Sequence, residues 1–141
     1  MEMREVKSVQ ASLYRCQRDL YEFNKNVEAL ESILRDTAKA IDAKIAKILS
    51  YRYGKRGVTC TAIIKQSSGS EASHITISTY PEHKFASLDI ESCIASSDMY
   101  NGLLTACEPL RPRRVEGIYV TSGFSEETKP EYKKFRFVGV I

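Results

Sequence analysis

No glycine or proline interrupts the chain before Gly54, and within that run apolar residues fall every three and four positions. Set on a heptad, the a positions are Val6, Leu13, Leu20, Val27, Leu34, Ile41 and Ile48, and the d positions open with Val9, Cys16, Phe23 and Leu30. A seam that narrow and regular winds a helix around a partner, whereas a helix lying on its own domain shows a broader stripe. The pattern predicts a coiled-coil helix over residues 5–50 and an oligomeric chain. Thr37 and Lys44 then occupy d while Ile33, Ala40 and Ile45 carry apolar surface to the flanks. The first four heptads are therefore expected to pair between chains, and the last two to dock also on a globular head. Asn24 and Asn26 are weak helix formers, which leaves a helical hairpin open as the alternative.

Gly54 and Gly57 end the run, with Gly54 as the expected helix C-cap because glycine enters the left-handed region without steric cost. Beyond Gly57 the chain is rich in strand signals. Val58 to Ile64 is dense in β-branched residues, His74 to Tyr80 alternates, and Val115 to Ser122 and Lys134 to Ile141 read as two further strands. Phe85 to Ile94 fits a short strand as well as a helix. Ser97 or Asp98 can cap a short helix over Met99 to Cys107, closed by Pro109 and Pro112. The expected fold class is α+β: a long N-terminal coiled-coil helix, or helical hairpin, then a small, mainly antiparallel β-sheet domain with one short helix. The expected division is an oligomerisation helix over 1–53 and a β-rich core domain over 54–141.

Several function classes fall away on spacing alone. The four cysteines are scattered without a C-x-x-C pair, so neither structural zinc nor a redox motif is expected. His74 and His83 are the only histidines, and a catalytic dyad would require Cys60, Cys93 or a serine within hydrogen-bond reach of one of them, for which sequence spacing supplies no evidence. No glycine-rich phosphate loop precedes a helix. The reading is a non-enzyme without metal or cofactor. The N-terminus lacks the apolar stretch of a secretory signal and no run can span a membrane, so a cytoplasmic location is expected, the host cytoplasm if the protein is viral.

The formal charge of +3 is too small to demand nucleic acid, but its distribution is uneven. Residues 1–57 carry twelve Lys and Arg against eight Asp and Glu, and the remainder nine against ten. Two short clusters stand out: Arg52, Lys55 and Arg56, and Arg111, Arg113 and Arg114. Arginine offers a planar fork matched to phosphate oxygens, and proline-flanked backbone lowers the entropy cost of aiming it. Tyr51, Tyr53, Tyr80 and Phe85 lie near the ends of the same elements and can stack on a base. Candidate ligand-binding residues are therefore Arg56, Tyr80, Phe85, Arg111, Arg113 and Arg114.

The order of elements, helical residues 5–50 followed by β-rich residues 58–141, and the supply of arginines with aromatics resemble the first family of phage Thoeris anti-defence proteins. That resemblance implies a non-catalytic sponge. Such an oligomer would sequester a small phosphorylated cyclic nucleotide, such as a cyclic ADP-ribose isomer, in basic pockets at subunit boundaries, with Arg56, Phe85, Arg113 and Arg114 of suitable type to hold it. The alternative is a coiled-coil structural adaptor whose small αβ head docks a protein partner.

Overall fold

The computed structural model describes residues 5–25, 27–54, 57–65 and 72–139. Its first element is a strand, not a helix: β1, Glu5–Tyr14. Val9, Ala11 and Leu13 alternate with Gln10 and Ser12, and the buried set is the apolar one. Val9 and Leu13, four apart, satisfy a heptad and a period of two equally well, whereas Val6 fits only the heptad, and pairing decided the matter. β1 lies between β5, Phe85–Ser92, and β6, Arg114–Gly123, antiparallel to both, with Val9 opposite Ile90 on one side and Tyr119 on the other.

Helix is confined to the middle of the supposed coil. After β1 the chain turns at Arg15, whose φ of 51° is left-handed although it is not glycine. Asp19 then accepts from the Tyr21 and Glu22 amides and opens α1, Leu20–Lys25. α2, Val27–Ala40, buries Leu30, Ile33, Leu34 and Thr37 on one face, the broad stripe of a helix lying on its own sheet. A second left-handed residue, Asp42 with φ 62°, ends the helical part, and Lys44–Tyr53 is strand β2. The expected long coiled-coil helix is therefore replaced by strand, two short helices and strand. Gly54, with φ 58°, turns β2 into β3 and caps no helix.

The remaining strands are β3, Gly57–Lys65, β4, Ala72–Tyr80, and β7, Glu131–Val138. All seven join in one antiparallel sheet of order β2-β3-β4-β5-β1-β6-β7. Strands from 1–53 and from 54–141 thus share a single sheet. α3, Met99–Cys107, is capped by the Asp98 carboxylate accepting from the Asn101 amide, and it packs with α2 on one face of the sheet. Between helices and sheet lies the core: Val9, Leu13, Leu34, Ile41, Ile64, Ile75, Ile77, Ile90 and Leu103 are fully excluded from solvent. The opposite face, carrying His74, Thr76, Ser87, Asp89 and Gln10, is open and polar. Among the described residues no helix is long and apolar enough to cross a membrane.

β6 approaches β1 closely at Gly117. A Cβ there would collide with the Gln10 carbonyl oxygen and lie 2.6 Å from Phe135 Cζ. The first obstacle is ladder backbone and cannot swing away. Gly117→Ala should therefore destabilise the protein by about 1–3 kcal/mol in urea unfolding, the usual cost of overpacking. An unchanged midpoint would mean that β6 can slide.

Candidate functional site

The two ends of the sheet differ in chemistry. At one end β4 begins and β5 finishes, and the side chains there are hydroxyls and a thiol. Alternation turns Ser73 toward the helix-covered side, where it is 7% exposed. Its Oγ accepts a hydrogen bond of 3.1 Å from the Cys93 amide. Ser92 and Ser97 lie beside this pair with Oγ atoms 2.7 Å apart. Ser97 Oγ donates on to the Ile41 carbonyl, and Ser92 Oγ accepts from the Ile94 amide. Those two hydroxyls are committed to holding the β5–α3 connection, whereas the side chain of Ser73 is held by a single main-chain donor among the described residues.

His74, next in sequence, points to the opposite face. Its Nε2 lies 3.4 Å from Asp89 Oδ2 and its Nδ1 3.5 Å from Glu91 Oε2, so two carboxylates of β5 bracket the ring. Two strands across from Ser73, about 10 Å at the usual strand spacing, Lys7 Nζ donates to the Ala95 and Ser97 carbonyls. Lys7, Asp98, Met99 and Tyr119 line a concavity of about 420 Å³ there. Burial pushes the Tyr119 hydroxyl up to about 12, with Tyr100 and Asp98 adding to the shift.

The other end of the sheet gathers the arginines. Arg113 and Arg114 line a cleft of about 710 Å³ with Tyr14, Arg15, His83 and Arg136. Phe85 and Tyr80 are not in its wall. They form a row on the open face, Tyr53 to Tyr80 to Phe85 to Tyr14, with ring centroids 5.3–5.7 Å apart. Arg111 is exposed and left-handed, at φ 49°. Arg56 lies outside the described residues.

The pairing of Ser73 with Cys93 went unnoticed in the sequence because the contact spans twenty residues and a hairpin. The available clue was the position of Ser73, the first serine of an alternating strand directly after a polar loop.

The four thiols are sharply graded. Cys16, Cys60 and Cys107 are buried, and Cys93 is partly exposed. Burial raises Cys16 to about 11 and Cys107 to about 12, and it raises Cys60 as well.

Comparison with known proteins assigns the family. Residues 7–123 match the family model described as S-adenosylmethionine decarboxylase. The chain is 34% identical over 108 residues to the S-adenosylmethionine decarboxylase proenzyme of Sulfurisphaera tokodaii, covering 77% of this chain and 80% of that one. It is 32% identical over 114 residues to the proenzyme of Pyrobaculum neutrophilum, covering 80% and 85%. The fold superposes on the crystal structure of the Aquifex aeolicus adenosylmethionine decarboxylase with a TM-score of 0.71 at 22% identity, over 92% of this chain and all of that one. These matches correct the functional expectations. The likeness to phage anti-defence sponges was one of element order, and that order dissolves once residues 5–14 and 44–53 are strands. With it go the viral, nucleotide-sequestering and coiled-coil adaptor readings, and the reading as a non-enzyme.

Reactivity should follow the burial of the thiols, since the thiolate is the nucleophile. At pH 8 a disulfide reagent should label Cys93 alone at once, and all four only in denaturant; rapid labelling of two or more native thiols contradicts the packing. The shifts also fix an alkaline limit. A thiol near 9 when unfolded and higher when folded contributes stability fully below pH 9 and loses it as pH climbs toward 11–12. Unfolding free energy should accordingly fall across that window, and less steeply in Cys107→Ala.

Proposed function

Because the chain belongs to the S-adenosylmethionine decarboxylase family, we propose that it is made as a precursor, cuts itself between Ala72 and Ser73, and decarboxylates S-adenosylmethionine. The observation that carries this reading is Ser73: a buried serine at the mouth of the β3–β4 hairpin, whose hydroxyl is fixed by one main-chain donor. The relatives' name, proenzyme, denotes a chain that is processed before it acts. Decarboxylases of this kind use a pyruvoyl group, an α-keto acyl that a chain can generate from its own serine.

The residues at this end of the sheet suit that origin. Ser73 Oγ can take over the acyl group of residue 72 only if its rotamer is held and its lone pairs are not fully engaged, and the Cys93 amide holds it while supporting negative charge on the oxygen. The other buried serines suit it less: Ser78 is hydrogen-bonded to Thr59 in mid-sheet, and Ser92 and Ser97 are bonded to each other. A cut at Ser73 falls where the ladder begins, so β4 keeps its pairing with β3 from Ser73 onward. When present, the pyruvoyl carbonyl supplies an electrophile that draws electrons from the substrate's α-carbon.

The chain's own groups then have definite tasks. Ser73 and Cys93 mark the reacting end, where the serine is shielded from solvent and the partly exposed Cys93 marks the side open to it. The concavity bounded by Lys7, Asp98, Met99 and Tyr119 opens on the same end of the sheet and offers one cationic and one anionic group to the substrate. Lys7 is tethered by two carbonyls, and its ammonium suits a carboxylate better than a sulfonium. Asp98 supplies the opposite charge. All four cysteines are free thiols, which supports action in a reducing compartment, the cytoplasm.

Mass spectrometry of the purified chain tests the proposal. The expected result is two fragments, 1–72 and 73–141, the second lacking a free N-terminal amine, together with release of carbon dioxide from carboxyl-labelled S-adenosylmethionine. Ser73→Ala should remain one uncut chain with activity reduced at least about a thousandfold, the scale of losing a covalent catalytic group. An intact wild-type chain that still decarboxylates, or a cut at another serine, would sink the assignment.

A further inference from the structure

The arginine cleft lies at the far end of the sheet from Ser73. β5 runs from Phe85 beside the cleft to Ser92 beside the serine, a length of about 23 Å at the usual rise per residue. Nothing in the decarboxylation chemistry calls on this end. Its charge is nonetheless concentrated: Arg15, Arg113, Arg114 and Arg136 converge on one concavity. The carboxylate between them, Glu116, places one oxygen 3.6 Å from Arg114 Nε and 3.1 Å from Arg136 Nε. Four guanidiniums against one carboxylate leave a local excess of three positive charges, equal to the formal net charge of the whole chain.

Two features show that this is more than a solvated charge run. The Arg114 guanidinium is stacked on the Tyr14 ring, 4.2 Å from its centroid, and Tyr14 rests in turn on Phe85. The fork is thereby held in place before any ligand arrives. Second, Arg114 Nε is buried and makes no hydrogen bond among the described residues; Glu116, which it shares with Arg136, neutralises only one of the two guanidiniums. Around it the backbone is bent at three non-glycine residues with left-handed φ, Arg15, Lys84 and Arg111, all basic. They are tied together where the Cys16 amide donates to the Lys84 carbonyl and the Gln17 amide to that of Arg111.

We propose that this cleft is a binding site for a compact, multiply charged oxyanion of the phosphate class, distinct from the Ser73 end of the sheet. Planar forks converging on a concavity of about 710 Å³ suit an anion larger than a single phosphate. A nucleic-acid strand would need a continuous basic track, and the open face beyond the cleft instead presents Asp89, Glu91 and Glu116. The proposal does not depend on how, or whether, the chain is processed at Ser73.

Inorganic pyrophosphate is the probe, titrated calorimetrically into the full-length protein and followed also by thermal unfolding. Saturable binding is expected, tighter than for orthophosphate, with a rise in the unfolding midpoint that sodium chloride of equal ionic strength does not reproduce. Arg114 also packs on Tyr14, so the variants of choice are the exposed Arg113→Gln and Arg136→Gln. Each should keep its unliganded midpoint and bind at least about tenfold more weakly, as expected for loss of a charge-assisted hydrogen bond. Lys39→Gln, on the surface of α2, should bind as wild type. The proposal is overturned if sodium chloride gives the same shift, if the double variant Arg113→Gln/Arg136→Gln binds pyrophosphate normally, or if only an oligonucleotide binds.

Discussion

The pairing of β1 on both sides holds the molecule together. Residues 7–13 lie antiparallel to β5 and residues 5–14 to β6, so one strand joins a four-stranded unit, β2 to β5, to the two strands at the C-terminal end. Without it the sheet would fall into two pieces, each with an open edge, and α3 would lose part of the floor on which it packs. The same pairing places the two chemically distinct ends. Antiparallel neighbours bring the start of β4 and the end of β5 to one rim, and the end of β1 and the start of β6 to the other.

How much of this could be read from the chain depended on whether local rules met a tertiary competitor. The capped helix over 99–107 could, because Asp98 acts through its immediate neighbours. The face assignments of β4 could as well, since the apolar residues alternate strictly there. The N-terminal third could not. Its turns fall on Arg15 and Asp42, which adopt left-handed φ without being glycine, so the usual punctuation is missing. In the absence of a break, strand, helix and strand merge into one run, and Val6, Val9, Leu13, Cys16 and Leu20 happen to fit a heptad across two different periodicities.

The site posed a different difficulty. Arginine clusters declare themselves by composition, and the structure does gather Arg113 and Arg114 with Arg15 and Arg136. Ser73 declares only its position at the start of an alternating strand. A serine becomes chemically distinctive only through what holds its oxygen, and that is the amide of a residue one hairpin away. A charge can be counted in a sequence, whereas a restrained rotamer exists only after folding.

Strand order has one more consequence for a chain divided before Ser73. The first piece would carry β1, β2 and β3, and the second β4 to β7. In the sheet these are not side by side: β1 of the first piece sits between β5 and β6 of the second, while β3 pairs with β4. The fragments are interleaved like the fingers of two hands. Separating them requires three ladders to break together, so a severed backbone would leave the protein a single mechanical body, and the new ends at residues 72 and 73 could move apart locally without loosening the fold.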